Sequence, residues 1–525
     1  MTEDADLRSL PTPTALLMVA LRRFAGRTAF AGERPVTYAE LGDVIGRLQS
    51  VLAQAGAAEG GTVAILSRNR WEAWAAAAAS SALGLAPCWL HPLATAATHA
   101  EQAGQVAPSA IVIDAAAFPD RVEILGASLP GVPIFTLGGS PSSSDLFLAA
   151  QKVGSVSLRD LSKPSGLGMV GLTGGTTGKS KAVERSMASV ASMSIATLSS
   201  FEIPDAPNFL AMGPISHVTG VKILPSLLRG GRVSMVDRFD PAEILAIIER
   251  ERISLTLAVP TMIYDLLDSA ELATVDTSSL RLLLYGGAAM SPARLAEGIT
   301  RIGPVFSQLY GQAECHPIAV LETADHDPAR PEVLAACGFP VKGCEVRIFG
   351  EGMNEVAPGE IGEICVRGPG VMMRYRDAPD ATAEALAGGW LHTGDLGRLD
   401  EVGRIYIVDR KKDMIVTGGF NVYPREVEDV LTSHPDIAAA AVIGLPDPRW
   451  GEAVHAVVVM RPGRRLDEEE LCARVRRAKG SLLTPKGVFE VSELPKTAAG
   501  KVDKLALAVR FGSKDSQEKA PAIAP

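Results

Sequence analysis

Between about residue 60 and residue 320, short apolar runs alternate with amphipathic stretches, and this alternation limits the fold more than any other feature of the chain. TVAILS leads into an alanine-rich stretch from Trp71, and SAIVID follows it. GRVSMVD leads into PAEILAIIERERIS, SLTLAVP into a stretch after Pro260, and LRLLLYGG into PARLAEGITRI. Parallel strands need long crossovers, so this order predicts largely parallel sheets covered by helices. From about residue 340 strands and turns take over, as in CEVRIFG, GEICVRG and GRIYIVD. After Arg410 comes a smaller unit: PREVEDVLTSH reads as a helix, IAAAAVIGL and EAVHAVVVM as strands, and a further helix starts near Asp467. The expected architecture is α/β. A large N-terminal domain over 1–409 holds mainly parallel sheets between helices plus a β-rich subdomain, and a small α+β C-terminal domain spans 410–511. The polar, proline-bearing stretch 512–525 reads as a frayed tail.

Composition narrows the function classes. Asp plus Glu number 60 against 51 Lys plus Arg, a net charge of −9, which argues against a chain built to grip nucleic acid or an anionic membrane. The six cysteines stand singly, with no C-x-x-C pair, so neither a disulfide framework nor a structural zinc site is expected. A cytoplasmic location is the default. The start, MTEDADLRSLPTPT, lacks the pattern of a signal peptide. Ala73 to Ala100 carries no Asp, Glu, Lys or Arg, but Gly84, Pro87 and Pro92 interrupt it. A buried helix followed by a strand is the expectation there, not a membrane span.

Two generic glycine motifs fail on their context. Gly166, Gly168 and Gly171 fit G-x-G-x-x-G, but the apolar strand lies inside the match instead of before it. Gly178-Lys179-Ser180 ends like a P-loop, yet Thr173 stands where the first glycine is required. What remains is LTGGTTGKSKAV at 172–183. Gly174, Gly175 and Gly178 let the backbone approach an anion, Thr173, Thr176 and Thr177 add hydroxyl donors, and Lys181 adds a cation. Phosphate suits this composition, although a flexible surface turn would also use it.

The company of this segment decides between the two. YGQAE (310–314), HTGD (392–395), DRKKD (409–413) and PKTAAGK (495–501) follow in order. DRKKD alone would read as a solvated turn. As a set, the motifs resemble the adenylate-forming superfamily of acyl- and aryl-CoA synthetases, luciferases and adenylation domains, over roughly 30–508. GGAAMSP, FDP, GEICVRG and PDPRWGE are most similar to its acyl-CoA synthetase branch. The resemblance implies a ligase that uses ATP to convert a carboxylic acid to acyl-AMP and passes the acyl group to CoA, with a mobile C-terminal lid.

Residue roles follow from the same resemblance. Thr173 to Gly178 and Lys181 would hold the β- and γ-phosphates, and Glu314 with Thr176 would bind Mg²⁺. Gly287, Ala288, Tyr310 and Gly311 would border the adenine, and Asp395 and Arg410 the ribose. Lys501 would bridge carboxylate and α-phosphate, with Lys412 as the hinge. Gly418 and Gly419 would line the thiol's entry, and Arg449, Trp450 and Lys486 would contact CoA. His217 matches an aromatic-or-histidine position at the acyl site, and Val218, Val221, Gly286 and Gly311 would wall the pocket. Ile263, like Val218 to Val221, fits either that wall or the core. The chain departs from the family at Gly174 (usually serine), Ser180 (proline), Ala182 (glycine) and Ala313 (threonine). One hydrogen bond to a charged group is worth about 1.5–3 kcal/mol, so losing the threonine hydroxyl matters. Two alternatives stay open: a poor adenylator that uses preformed acyl-AMP, and transfer to a carrier-protein phosphopantetheine. A homodimer, the acid and the pathway are also open.

Overall fold

The structure, a computed structural model, describes residues 7–57, 59–139, 144–173, 181–496 and 502–512. The chain forms two compact units. The first comprises Met1–Met290, Arg294–Val346 and Val366–Leu391, and the second Ser291–Ala293, Arg347–Cys365 and His392–Pro525.

The first unit holds a nine-stranded and an eight-stranded sheet. In the nine-stranded sheet Leu255–Ala258, Leu282–Gly286 and Phe306–Gln312 run parallel, and antiparallel strands such as Cys315–Leu321 sit toward one edge. The eight-stranded sheet has Thr62–Leu66 between Ala86–Trp89 and Ala110–Ile113, all parallel, with the antiparallel pair Leu167–Thr173 and Lys181–Ser186 beyond. Thr62–Leu66 is buried along its length, as an unbroken apolar run requires when helices cover both faces. Local chemistry sets the helix starts. Thr37 and Glu40 form a reciprocal capping box on Tyr38–Gln54, and Asp240 accepts from Glu243 N ahead of Pro241–Arg250. The uncharged segment resolves into helix Trp71–Ala82, with most of its alanines buried, and strand Ala86–Trp89. No helix among the described residues is long and apolar enough to cross a membrane.

The second unit carries most of a four-stranded sheet (Glu345–Phe349, Gly362–Arg367, Leu391–Leu399, Ile405–Arg410) and a five-stranded sheet. In the latter the long antiparallel pair Ile437–Asp447 and Gly451–Met460 packs on helices Pro424–Thr432, Glu468–Lys479 and Lys504–Gly512. The boundary expected at 409/410 falls inside this unit, where local bonds cross it. Arg425 N donates to Asp409 Oδ2 at 3.0 Å and Arg425 Nη1 to Ile407 O at 3.0 Å, tying the start of a helix to the preceding strand.

Candidate active site

In the first unit the candidate residues gather at strand ends. Gly286 closes a parallel strand, and Gly287 and Ala288 stand exposed in the turn after it. Tyr310 is buried on the neighbouring strand. That strand folds back at the pair Gln312 and Cys315, which leaves Ala313 and Glu314 at the hairpin tip. Arg185, 1% exposed, donates through Nε (3.0 Å) and Nη2 (2.5 Å) to Ala313 O, and through Nη1 to Gly370 O. Met372 N donates to Glu314 O at 2.8 Å. The tip is therefore fixed through its backbone, and the side chain of residue 313 takes no part.

Tyr375 joins two of the predicted residues. Its hydroxyl donates to Glu314 Oε1 at 2.8 Å, and Lys181 Nζ lies 4.6 Å from its ring centroid. Burial, and next the Glu314 carboxylate, raise the phenol's pKa, so Tyr375 stays a donor. Thr173 and Lys181 face each other across an antiparallel pair, with Thr173 Oγ1 donating to Lys181 O at 3.3 Å. The segment they flank, with Gly174, Gly175, Thr176, Thr177, Gly178 and Ser180, lies outside the described residues, as does Lys501.

His217 Nδ1 and Ser216 Oγ are 2.8 Å apart, and the ring meets His91 edge-on with centroids 4.5 Å apart. Val218 and Val221 are half-buried, whereas Ile263 is wholly buried in a core cluster, which favours its packing role. Gly311 packs tightly beside a histidine: a Cβ there would come 2.8 Å from His316 Nδ1.

The second unit holds the remaining candidates. Asp395 and Arg410 are direct partners across antiparallel strands, and Arg410 Nε lies 3.3 Å from Asp395 Oδ1. Glu363 supports the turn before Asp395: Oε1 accepts from Gly394 N at 3.1 Å, and Oε2 lies 3.2 Å from His392 Nδ1. Lys412 is exposed over most of its side chain, and desolvation at its amine, with neighbouring Arg410, lowers its pKa against the pull of Asp413 and Asp395. Gly418 (φ +58°) and Gly419 (φ +83°) form a two-residue hairpin turn, a conformation that glycine adopts without strain. A Cβ on Gly418 would meet the Trp450 ring at 2.8 Å, while one on Gly419 would meet nothing within 4 Å. Arg449 and Lys486 lie 4.8 and 5.8 Å from the Trp450 ring centroid, so the three CoA candidates form one exposed cluster.

Sequence reasoning missed Arg185, Tyr375, His91 and Glu363. None was given a role, although Glu363 stands in GEICVRG, and each acts by touching a residue far away in the chain. A charged residue at a buried strand position, as in AVERS, was the available signal for Arg185.

The AMP-binding enzyme family matches residues 18–376, and the AMP-binding enzyme C-terminal domain matches 426–501. The chain belongs to this family of adenylate-forming enzymes. It is 41% identical to the medium/long-chain-fatty-acid–CoA ligase FadD8 of Mycobacterium tuberculosis (strain ATCC 25618 / H37Rv), over 97% of this chain and 92% of that one. An indoleacetate–CoA ligase from Aromatoleum aromaticum (strain DSM 19018 / LMG 30748 / EbN1) is 34% identical over 91% and 94% of the two chains. Among solved structures, the amide bond synthetase McbA from Marinactinospora thermotolerans superposes with a TM-score of 0.88 at 35% identity, covering 95% of this chain and all of that one.

Proposed function

We propose that this chain is an AMP-forming acid–thiol ligase that joins a carboxylic acid to CoA in two steps, adenylation and then thioester formation. The ligase class follows from the family and from whole-length relatives named as CoA ligases. Within the site, the meeting of Lys181 and Glu314 at Tyr375 carries the reading.

A carboxylate is a poor acyl donor because oxide is a poor leaving group, and forming the mixed anhydride supplies AMP instead. Attack at the α-phosphorus gathers negative charge on phosphate oxygens, so positioning and fixed positive charge do most of the work. Lys181 supplies charge beside the segment 174–180. Tyr375 occupies one oxygen of Glu314, and Oε2 has no hydrogen-bond partner among the described residues. A free carboxylate oxygen fits a hard ion, so Glu314, with Thr176, would hold Mg²⁺, which supplies charge neutralisation at the phosphates. Asp395 accepts hydrogen bonds from the ribose hydroxyls, and Arg410 orients it. His217 stands at the acyl carboxylate, backed by His91. Lys501 bridges carboxylate and α-phosphate in the first step. In the second, the lid turns about Lys412 within 410–511 and brings Gly419 to the acyl-AMP, with Arg449, Trp450 and Lys486 on CoA. Ala313 lacks the family's hydroxyl, and Arg185 holds the tip by its backbone carbonyl, so Glu314 keeps its place without it.

Two substitutions test the division of labour. Lys501→Ala is expected to abolish pyrophosphate release from ATP and acid while sparing thioester formation from supplied acyl-AMP. Gly419→Leu is expected to do the opposite, since its side chain would fill open space in the thiol's path. Equal loss of both half-reactions in Lys501→Ala refutes the role of that lysine. The same assays, run with CoA, a phosphopantetheinylated carrier protein and a simple amine as acceptors, separate the ligase from carrier loading and from amide formation. A chain that makes thioester only from supplied acyl-AMP is the thioesterification-only alternative.

A further inference from the structure

The four-stranded sheet of the second unit brings three metal-binding side chains together on neighbouring strands. Glu363 and Cys365 stand two residues apart on strand Gly362–Arg367, so both project from one face of the sheet. His392 comes from the adjacent strand Leu391–Leu399. His392 Nδ1 lies 3.5 Å from Cys365 Sγ and 3.2 Å from Glu363 Oε2, and the three donor atoms all fall within 4.8 Å of one another. Only one cysteine takes part, so no C-x-x-C spacing marks the cluster in the sequence.

These separations suit one small ion. Around a tetrahedral centre with bonds of about 2.3 Å to sulfur and about 2.0 Å to nitrogen and oxygen, sulfur and nitrogen sit about 3.5 Å apart and nitrogen and oxygen about 3.3 Å apart. A ring nitrogen with one proton cannot donate fully to a thiol and a carboxylate at once, whereas an ion binds all three groups. His392 Nε2 is buried without a partner among the described residues, so Nδ1 makes the ring's polar contacts. Glu363 is oriented as a metal-binding carboxylate needs to be: Oε1 accepts from Gly394 N at 3.1 Å and leaves Oε2 for the ion. The Glu363 and His392 side chains keep 16% and 18% exposure, which gives an ion a way in, while Cys365 is wholly buried. Lys411 Nζ lies 3.6 Å from Glu363 Oε2 on a side chain that is 66% exposed, so an ion would push it out into solvent.

We propose that Glu363, Cys365 and His392 bind a borderline transition-metal ion of the Zn²⁺ class. A mixed sulfur, nitrogen and oxygen set disfavours Mg²⁺ and Ca²⁺, which take oxygen ligands, so this site differs in kind from the one assigned to Glu314. Binding releases the thiol proton to solvent and leaves a fourth position for water. The ion ties strand Gly362–Arg367 to the turn before Asp395, because Glu363 holds Gly394 N with one oxygen and the ion with the other.

The test titrates the chelator-stripped full chain with Co²⁺, whose bond to a thiolate gives a charge-transfer band in the near ultraviolet. The wild type is expected to show a band that saturates at one ion per chain and that Zn²⁺ displaces but a large excess of Mg²⁺ does not. Cys365→Ser is expected to lose the band, and His392→Asn, which touches no thiol, to weaken Co²⁺ binding by at least about tenfold. Cys472→Ser should change neither. Zn²⁺ is expected to raise the thermal unfolding midpoint of the wild type and to leave that of Cys365→Ser unmoved, in a melt that also shows the variant to be folded. A wild type without the band overturns the proposal before any variant is made. So does a band that survives in Cys365→Ser or vanishes in Cys472→Ser, or an unchanged affinity in His392→Asn. None of these readouts needs turnover, so their failure leaves the ligase reading standing.

Discussion

Each unit holds a lysine away from bulk solvent, Lys222 wholly and Lys504 in part, and the environments push them in opposite directions. Lys504, in the second unit, places Nζ 2.7 Å from Glu428 Oε1 with Asp409 close by. Burial lowers its pKa, but the two carboxylates outweigh burial, and the net shift is upward. Lys222, in the first unit, has a hydroxyl and an imidazole and, among the described residues, no acid, and its pKa falls to about 7. Burial alone therefore says little about a lysine's purpose. A matched cation holds elements together: Glu428 is on helix Pro424–Thr432, Asp409 on strand Ile405–Arg410 and Lys504 on helix Lys504–Gly512.

Removing each charge should break the symmetry most visibly. Lys504→Met leaves Glu428 and Asp409 without their cation and is expected to cost about 3–5 kcal/mol in urea unfolding of the second unit. A loss below about 1 kcal/mol would mean that Lys504 is solvated after all.

The pH dependence comes next in size. Lys222 binds its proton less tightly folded than unfolded, so the native state holds fewer protons than the unfolded one between about pH 7 and the ordinary lysine value of 10.5. Stability from this group therefore rises with pH across that window, by up to about 1.4 kcal/mol per unit. Lys504 works the other way: its contribution is full below 10.5 and is lost only as pH climbs through its raised folded value. Unfolding at pH 7, 8 and 9 should show a rising component that disappears in Lys222→Met and persists in Lys504→Met. Equal slopes in wild type and Lys222→Met would show that Lys222 is not depressed.

The smallest effect sharpens the contrast. At pH 7, Lys222→Met is expected to change stability by no more than about 1 kcal/mol, because relief of an unmatched charge offsets two lost hydrogen bonds. A loss as large as that of Lys504→Met would make Lys222 a structural anchor like its counterpart.

Much of the fold was legible because its signals are local. Apolar runs such as TVAIL became buried parallel strands, and Pro or a capping Asp opened the helices where expected. The motif residues were legible too, and the strand register sets Asp395 against Arg410 although 14 residues lie between them. The supports were not. Tyr375 reaches Glu314 across 61 positions, and Lys222 reaches His316 across 94. Periodicity carries no trace of such pairings, because they exist only once sheets have stacked. Asp409 in DRKKD is a further case, since the sequence gives no sign that its carboxylate accepts from Arg425 N at the start of the next helix.

Arg185 also bears on how such enzymes can change. It grips position 313 by the carbonyl that every amino acid possesses, so mooring of the hairpin tip is indifferent to which side chain stands there. Evolution can then discard a hydroxyl from a signature motif and keep the acid beside it in place.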